Sequence, residues 1–473
     1  MRAIALVLML GVLGIAVPGC HSDKRKGTPD SATKAGGNPV AKISVDEARE
    51  GEPSRDLSRI PLTREGKTTA AAPKTEPLAK KSADKAPAKE GKPDPGVADP
   101  VVGRVPPKKK VEKGPPAGIL TAGSFDDNVN PAVFNSFLRK MSQKNGLGDF
   151  PTKLQGQRLM VIIKDGGGKP VGNARVRLSA GAGAPVELTT RSDGRAVFML
   201  KLDQLPSDQP LVATVTGPNG GNPVTDTVAA GVARWEITLP GVQAQLPKNL
   251  DLAIVLDTTG SMGDELAYLK SEFRGISESI AKKFPEVKQR FSLILYRDEG
   301  DEYVVRPFDF TDSLDLFHKR LSAQSAGGGG DYPEAMHRGL EETLQLRWQD
   351  KDTARLVFLV GDAPPHAQHM NRTLAAANTL RKKGIAVYPI ACSGYDPACE
   401  LVMRSCAMLT GSQFLFLTDD SGVGGAHAEP SIPYYQVERL EKLMIRMIAS
   451  ELSGQHIPPA AADIIRTVGK KVN

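Results

Sequence analysis

The stretch DLAIVLDTTGSMGDE, residues 251–265, sets an aspartate, two threonines and a serine directly behind a run of apolar residues. Asp257, Thr259 and Ser261 form the pattern D-x-T-x-S, and a tight turn at Gly260 lets all three side chains face one point. A second carboxylate, Asp362, ends another apolar run, RLVFLVGD. A donor set of carboxylate and hydroxyl oxygens suits a hard divalent cation such as Mg²⁺, with Mn²⁺ or Ca²⁺ as alternatives and water in the open positions. Taken alone, D-x-T-x-S fits a helix N-cap with an Asx-turn equally well. Asp362, at the end of a separate apolar run, favours the metal.

Other chemistries fit the sequence less well. GGGGD at 327–331 has no GK[ST] and no basic residue close behind, which argues against a phosphate loop. GSMG lacks the G-x-S-x-G spacing of a hydrolase elbow, so Ser261 has no nucleophile's setting. His366 and His369, in APPHAQH, would take zinc only by facing one another on a helix, and the prolines beside them argue for surface histidines instead. With no supported nucleophile or general base, the chain reads as a binding protein rather than an enzyme. A metal-free scaffold and a metal-dependent hydrolase are the competing readings.

A strand must deliver each carboxylate. Leu252 to Leu256 is unbroken apolar, as in a strand buried on both faces of a parallel sheet. FSLILY (291–296), EYVVRPF (302–308), RLVFLVG (355–361), IAVYPIA (385–391) and QFLFLTD (413–419) repeat the pattern, with helical periodicity in most of the gaps. DEGD, between two of these strands, reads as a hairpin that adds one antiparallel edge strand. The stretch 437–452 reads as a closing helix with Val437, Leu440, Leu443, Met444, Met447 and Ile448 on one face. The expected fold is α/β, a doubly wound, mostly parallel, Rossmann-like sheet. In such a sheet ligands bind at the carboxyl ends of the strands where strand order reverses, which is where Asp257 and Asp362 should meet.

The residues DTTGSMGDE, following a buried strand and opening a helix, resemble the metal-ion-dependent adhesion site of von Willebrand factor type A domains, and the resemblance spans 248–455. It implies that Asp257, Thr259 and Ser261 are first-loop ligands and that Asp362 is the third-loop carboxylate. The family usually places a threonine where Gly329 stands; Asp331, two residues on, is the nearest substitute. Gly361 and Ala363 occupy positions where many members have Thr and Gly. The resemblance also implies a protein partner that offers an Asp or Glu carboxylate to the metal.

The rest of the chain reads as delivery and support. MRAIALVLMLGVLGIAVPGC has an apolar run too short to span a bilayer but suited to a signal peptide, residues 1–20. VPGC resembles the lipobox of bacterial lipoproteins, so Cys20 is the expected lipidation site and the chain an exported, lipid-anchored protein of the cell envelope. The absence of Asp just after Cys20 favours the outer membrane. Residues 21–120 are rich in Lys, Pro, Ala and Gly and read as a disordered tether. They hold 21 Lys or Arg against 14 Asp or Glu, a surplus of seven equal to that of the whole chain, so the folded remainder is near neutral and does not suit nucleic acid.

A short helical segment is expected at 121–150, and an antiparallel β-sandwich at 151–245 that resembles carboxypeptidase-regulatory or Ig-like modules through KDGGGKPVGNARVRLSA and TTRSDGRAVFML. A tail at 456–473 follows the main domain. Cys392, Cys399 and Cys406 make an odd set for an exported chain. Cys399 and Cys406 lie two helical turns apart, ~10 Å, too far for a bridge. Cys392 with either one is the freer pairing, and three buried thiols is the alternative.

Overall fold

The computed structural model describes residues 120–144, 146–422 and 427–470. The expected signal peptide, Cys20 and the tether up to residue 119 lie outside the described residues.

The largest sheet has nine strands. In chain order they are β1 (Thr121–Phe125), β9 (Asn249–Asp257), β10 (Lys288–Tyr296), β11 (Val305–Thr311), β12 (Thr353–Gly361), β13 (Ala386–Ala391), β14 (Phe414–Thr418), β15 (Tyr434–Arg439) and β16 (Arg466–Gly469). Across the sheet they run β11-β10-β9-β12-β13-β14-β1-β15-β16. The five from β10 to β14 are parallel, β11 is the expected antiparallel edge, and β1, β15 and β16 extend the other side antiparallel.

The helices are α1 (Pro131–Met141), the single turn α2 (Phe150–Lys153), α3 (Gly263–Lys283), α4 (Leu314–Ser322), α5 (Met336–Glu342), α6 (Met370–Lys382), α7 (Pro397–Thr410) and α8 (Leu440–Ser453). Because strand side chains alternate, Ala253 and Val255 of β9 pack toward α1, α5, α6 and α7, while Leu252, Ile254 and Leu256 pack toward α3, α4 and α8. Local chemistry sets helix ends. At α7, Pro397 occupies the first turn, the Asp396 carboxylate accepts from the Ala398 and Cys399 amides, and Gly411 closes the helix in the left-handed region at φ 72°.

Residues expected outside this sheet belong to it. The segment 121–150 supplies β1, and α1 buries Phe134, Phe137, Leu138 and Met141 in the same core as Phe414 and Phe416. The expected tail supplies β16. Val437, expected on the closing helix, lies in β15, and α8 begins at Leu440.

The seven strands between β1 and β9 form the sandwich: β2 (Arg158–Asp165), β3 (Arg175–Ser179), β4 (Val186–Thr189), β5 (Arg195–Met199), β6 (Leu211–Gly217), β7 (Gly220–Val228) and β8 (Arg234–Leu239). They make a three-stranded sheet, β5-β2-β8, and a four-stranded one, β4-β3-β6-β7. The expectation of an all-antiparallel sandwich needs one correction, since β2 and β8 pair in parallel. The sandwich is inserted into the α/β domain and shares a face with it. Leu159, Val161 and Ile163 of β2 face the sandwich core, whereas Met160 and Ile162 join Leu401 and Met408 in the core beneath the large sheet. The unbroken run LMVII, rather than an alternating one, is the mark of a strand buried on both sides. Buried ion pairs join the same surfaces, Arg381 with Asp203 and Arg191 with Glu451.

Of the two alternatives for the cysteines, the structure shows the three buried thiols: Cys392, Cys399 and Cys406 are all free and buried. Cys392 follows the end of β13, with its thiol directed at the Ile390 carbonyl, while the Cys399 thiol points along α7 to the Met403 sulfur at 3.9 Å. Burial pushes all three thiols toward the neutral form.

Candidate metal centre

The chain crosses from one side of β9 to the other between β10 and β12, so strand order reverses at the carboxyl ends of β9 and β12. Asp257 is the last residue of β9 and wholly buried. Asp362 follows the last residue of β12 and is 5% exposed. A Cβ on Gly361 would lie 3.5 Å from Asp257 Oδ2 and 2.4 Å from the Tyr296 hydroxyl, so the two strand ends approach this closely only because residue 361 has no side chain.

The first loop folds back onto its own aspartate. Asp257 Oδ1 accepts from the Thr259 amide at 2.9 Å and from the Thr259 hydroxyl at 2.7 Å, and the Ser261 hydroxyl lies 3.4 Å from that of Thr259. A 3-10 turn, Gly260–Met262, then leads into α3. Neither the turn nor α3 has a side-chain cap, so the Thr259 and Ser261 oxygens are not spent on helix-end amides. The N-cap reading of D-x-T-x-S therefore accounts only for the Asx-type turn at Asp257.

The second loop is laced to the first by two backbone bonds, Gly260 N to Gly328 O at 3.1 Å and Gly327 N to Thr258 O at 3.0 Å. It is joined to the third loop by Glu334 N to Pro364 O at 3.0 Å. This stitching brings in Glu334, an acid outside the ligand set expected from the sequence. Glu334 is 4% exposed, and its Oε2 has no hydrogen-bond partner among the described residues. Its Oε1 lies 2.8 Å from where a Cβ on Gly329 would stand. Glu334 thus fills space next to the position where the family usually has threonine. No local sequence signal marks it: α5 begins only at Met336, and Glu334 lies in the loop before it. Asp331 is exposed and gathers instead with Asp298 and His366.

Because Gly329 sits at φ 77°, with the Glu334 carboxylate at 2.8 Å and Thr259 Cβ at 3.0 Å from any Cβ, restoring the family's residue should fail. Gly329→Thr is expected to destabilise the protein by about 1–3 kcal/mol and to weaken, not strengthen, cation binding. Denaturant titration with and without Mg²⁺ reads both effects; a tighter site in the variant would contradict this packing.

The electrostatics favour a cation. Burial, and then the charge of Asp362, push Asp257 up to about 7, while the Thr259 donors and the nearby Tyr296 hydroxyl pull it down. Burial followed by Asp257, Asp298, Asp362 and Asp301 pushes Glu334 up to about 9. No Lys or Arg is among the leading influences on either group. Asp257 Oδ2 is buried without a hydrogen-bond partner among the described residues. An oxygen-only donor set, an unsatisfied buried carboxylate oxygen and an excess of like charge fit a hard divalent cation.

An open α/β sheet with a carboxylate and hydroxyl crevice at its switch point defines the class. Residues 251–399 match the family model of the von Willebrand factor A domain, and the chain carries such a domain. An ariadne-like RING finger protein of Acanthamoeba polyphaga mimivirus is 30% identical over 159 residues, covering 30% of this chain and 16% of the relative. The alpha-protein kinase vwkA of Dictyostelium discoideum is 30% identical over 132 residues, 28% of this chain and 21% of the kinase. The von Willebrand factor A domain-containing protein 7 of Rattus norvegicus is 34% identical over 114 residues, 24% and 12%. The similarity therefore spans 12% to 21% of these relatives. Among solved structures, BatB of Bacteroides thetaiotaomicron aligns with a TM-score of 0.30 at 10% identity, over 43% of this chain and 98% of that one. Proximal thread matrix protein 1 of the mussel byssus, with a zinc-occupied MIDAS motif, aligns with a TM-score of 0.27 at 15% identity, over 36% and 44%.

Proposed function

We propose that this domain is a divalent-cation-dependent binding module, not an enzyme, displayed on the cell envelope by a lipid-anchored N-terminus. Asp257, Thr259, Ser261, Asp362 and Glu334 hold the cation, directly or through water. A bound divalent cation would offset the carboxylate repulsion and leave an open position for an oxygen from outside the domain. A partner protein fills that position with an Asp or Glu oxygen, and the surrounding loops supply specificity. The observation that carries the reading is the buried Asp257 carboxylate in a crevice of like charges, with no Lys or Arg among the leading influences on it. Ser261 has the Thr259 hydroxyl beside it rather than a base, which speaks against nucleophilic catalysis. The N-terminal leader and VPGC support envelope display.

Capture from an envelope extract tests the proposal. The same partner band should be retained by the parent protein in Mg²⁺, and lost both in EDTA and with Asp257→Ala. Capture indifferent to both changes would make the domain a metal-free scaffold.

A further inference from the structure

Beside the oxygen crevice lies a group of different chemistry. Glu299 of the β10–β11 hairpin, His337 of α5 and His369 of the 3-10 turn before α6 bring one ligand atom each within 4.8 Å of one another. His337 and His369 stack with ring centroids 4.1 Å apart. His337 is fully buried, yet both of its ring nitrogens lack a hydrogen-bond partner among the described residues. A buried imidazole ordinarily has a partner, because desolvating its polar atoms without one costs roughly 1–3 kcal/mol. The two histidines of APPHAQH do not face each other: their centroids are 6.4 Å apart, and His366 Nε2 lies 2.8 Å from Asp298 Oδ1. His369 meets His337 instead, a contact between distant parts of the chain.

We propose that Glu299, His337 and His369 form a second metal centre, separate from the Asp257 crevice, that binds zinc or a similar borderline divalent ion. Two imidazoles and a carboxylate form a donor set for Zn²⁺, not for Mg²⁺, and three protein ligands leave a fourth tetrahedral position for water. At ~2.0–2.1 Å from the ion, tetrahedral ligands stand about 3.4 Å apart, so a modest closure of the present group completes the site. Arg338 and Arg372 lie nearby, but both pair with Glu341, at 3.7 and 2.6 Å, which offsets their repulsion of a cation. Since the ligands come from the hairpin, α5 and the segment after the third loop, the ion staples together the elements that shape the oxygen crevice.

Untagged protein in saturating Mg²⁺, titrated with Zn²⁺ by calorimetry, tests this. The parent and Asp257→Ala should both bind zinc. His369→Ala and Glu299→Gln, at positions that are not fully buried, should each weaken it by at least about 100-fold, the upper end of what losing a supporting partner alone costs. Co²⁺ should give the intense visible bands of a tetrahedral N/O site in the parent and in Asp257→Ala, but not in His369→Ala. Zinc affinity unchanged in both ligand variants, absence of zinc binding by the parent, or weak octahedral cobalt bands would each overturn the proposal. Zinc binding abolished by Asp257→Ala but retained in His369→Ala would assign the ion to the oxygen crevice and overturn it too.

Discussion

Replacing Asp257 with asparagine should make the metal-free protein more stable while abolishing its response to Mg²⁺. The folded-state pKa of Asp257 is raised from 3.8 to about 7 by burial and by Asp362. Below pH ~4 the group is protonated in both states and carries no penalty. As pH rises from there to about 7, the unfolded chain releases its proton while the folded one holds it, so stability falls. Above that range the full penalty is present, on the order of 4 kcal/mol for this difference. Glu334, raised to about 9 by burial and the same carboxylates, adds in the same direction. A divalent cation reverses the trend, because it binds the ionised form: at one hundred times its Kd it contributes about 2.7 kcal/mol. Melting scans at pH 5 and pH 8 should therefore show metal-free parent protein losing stability at the higher pH and regaining it with Mg²⁺. Asp257→Asn should lose much of that pH slope and all of the Mg²⁺ effect. Asparagine can still accept from Thr259, so loop geometry is kept. A variant that melts lower than the parent without metal would mean that Asp257 stabilises the fold by itself.

The second large effect concerns Arg404, which is wholly buried. Its guanidinium binds Asp127 at 2.7 and 2.9 Å, Glu400 at 2.9 Å and the Ser431 carbonyl at 3.2 Å, and lies 4.4 Å from the Phe137 ring centre. Asp127 is raised by burial even beside this arginine. Arg404→Leu would leave two buried carboxylates without their counter-charge and should cost about 3–5 kcal/mol, read as a lower denaturant midpoint. Combining Arg404→Leu with Asp127→Asn and Glu400→Gln should recover most of the loss, because the penalty lies in the stranded charges. If the triple variant were no better than the single one, packing rather than charge would be the cause. Asp127 lies just after β1, so this cluster fixes the early strand that the oxygen site does not touch.

The centre of the fold was legible because its signals are local. Unbroken apolar runs marked β9, β10, β12, β13 and β14 as strands covered on both faces, and the residues at the ends of β9 and β12 fixed where a ligand could sit. The insertion was not legible. TAGSF at 121–125 is too short and too small in side chain to declare itself a strand, and it owes its place to pairing with β14 and β15 about three hundred residues later. Helical periodicity did find α1, but no local pattern names the partner of a stripe. In the site, D-x-T-x-S and Asp362 could be read because a strand end fixes their direction. Glu334 could not, since its burial comes from bonds between the second and third loops. The pairing of His337 with His369 depends likewise on α5 packing against the start of α6.

The most direct measurement is an anomalous difference map from crystals of this protein grown with Mn²⁺. The expected result is one strong peak between the β9 and β12 strand ends, at ~2.0–2.2 Å from oxygens of the Asp257 and Ser261 loop, that disappears in Asp257→Asn crystals. A map without a peak at that position, at a manganese concentration that saturates any calorimetric binding, would contradict the cation-dependent site.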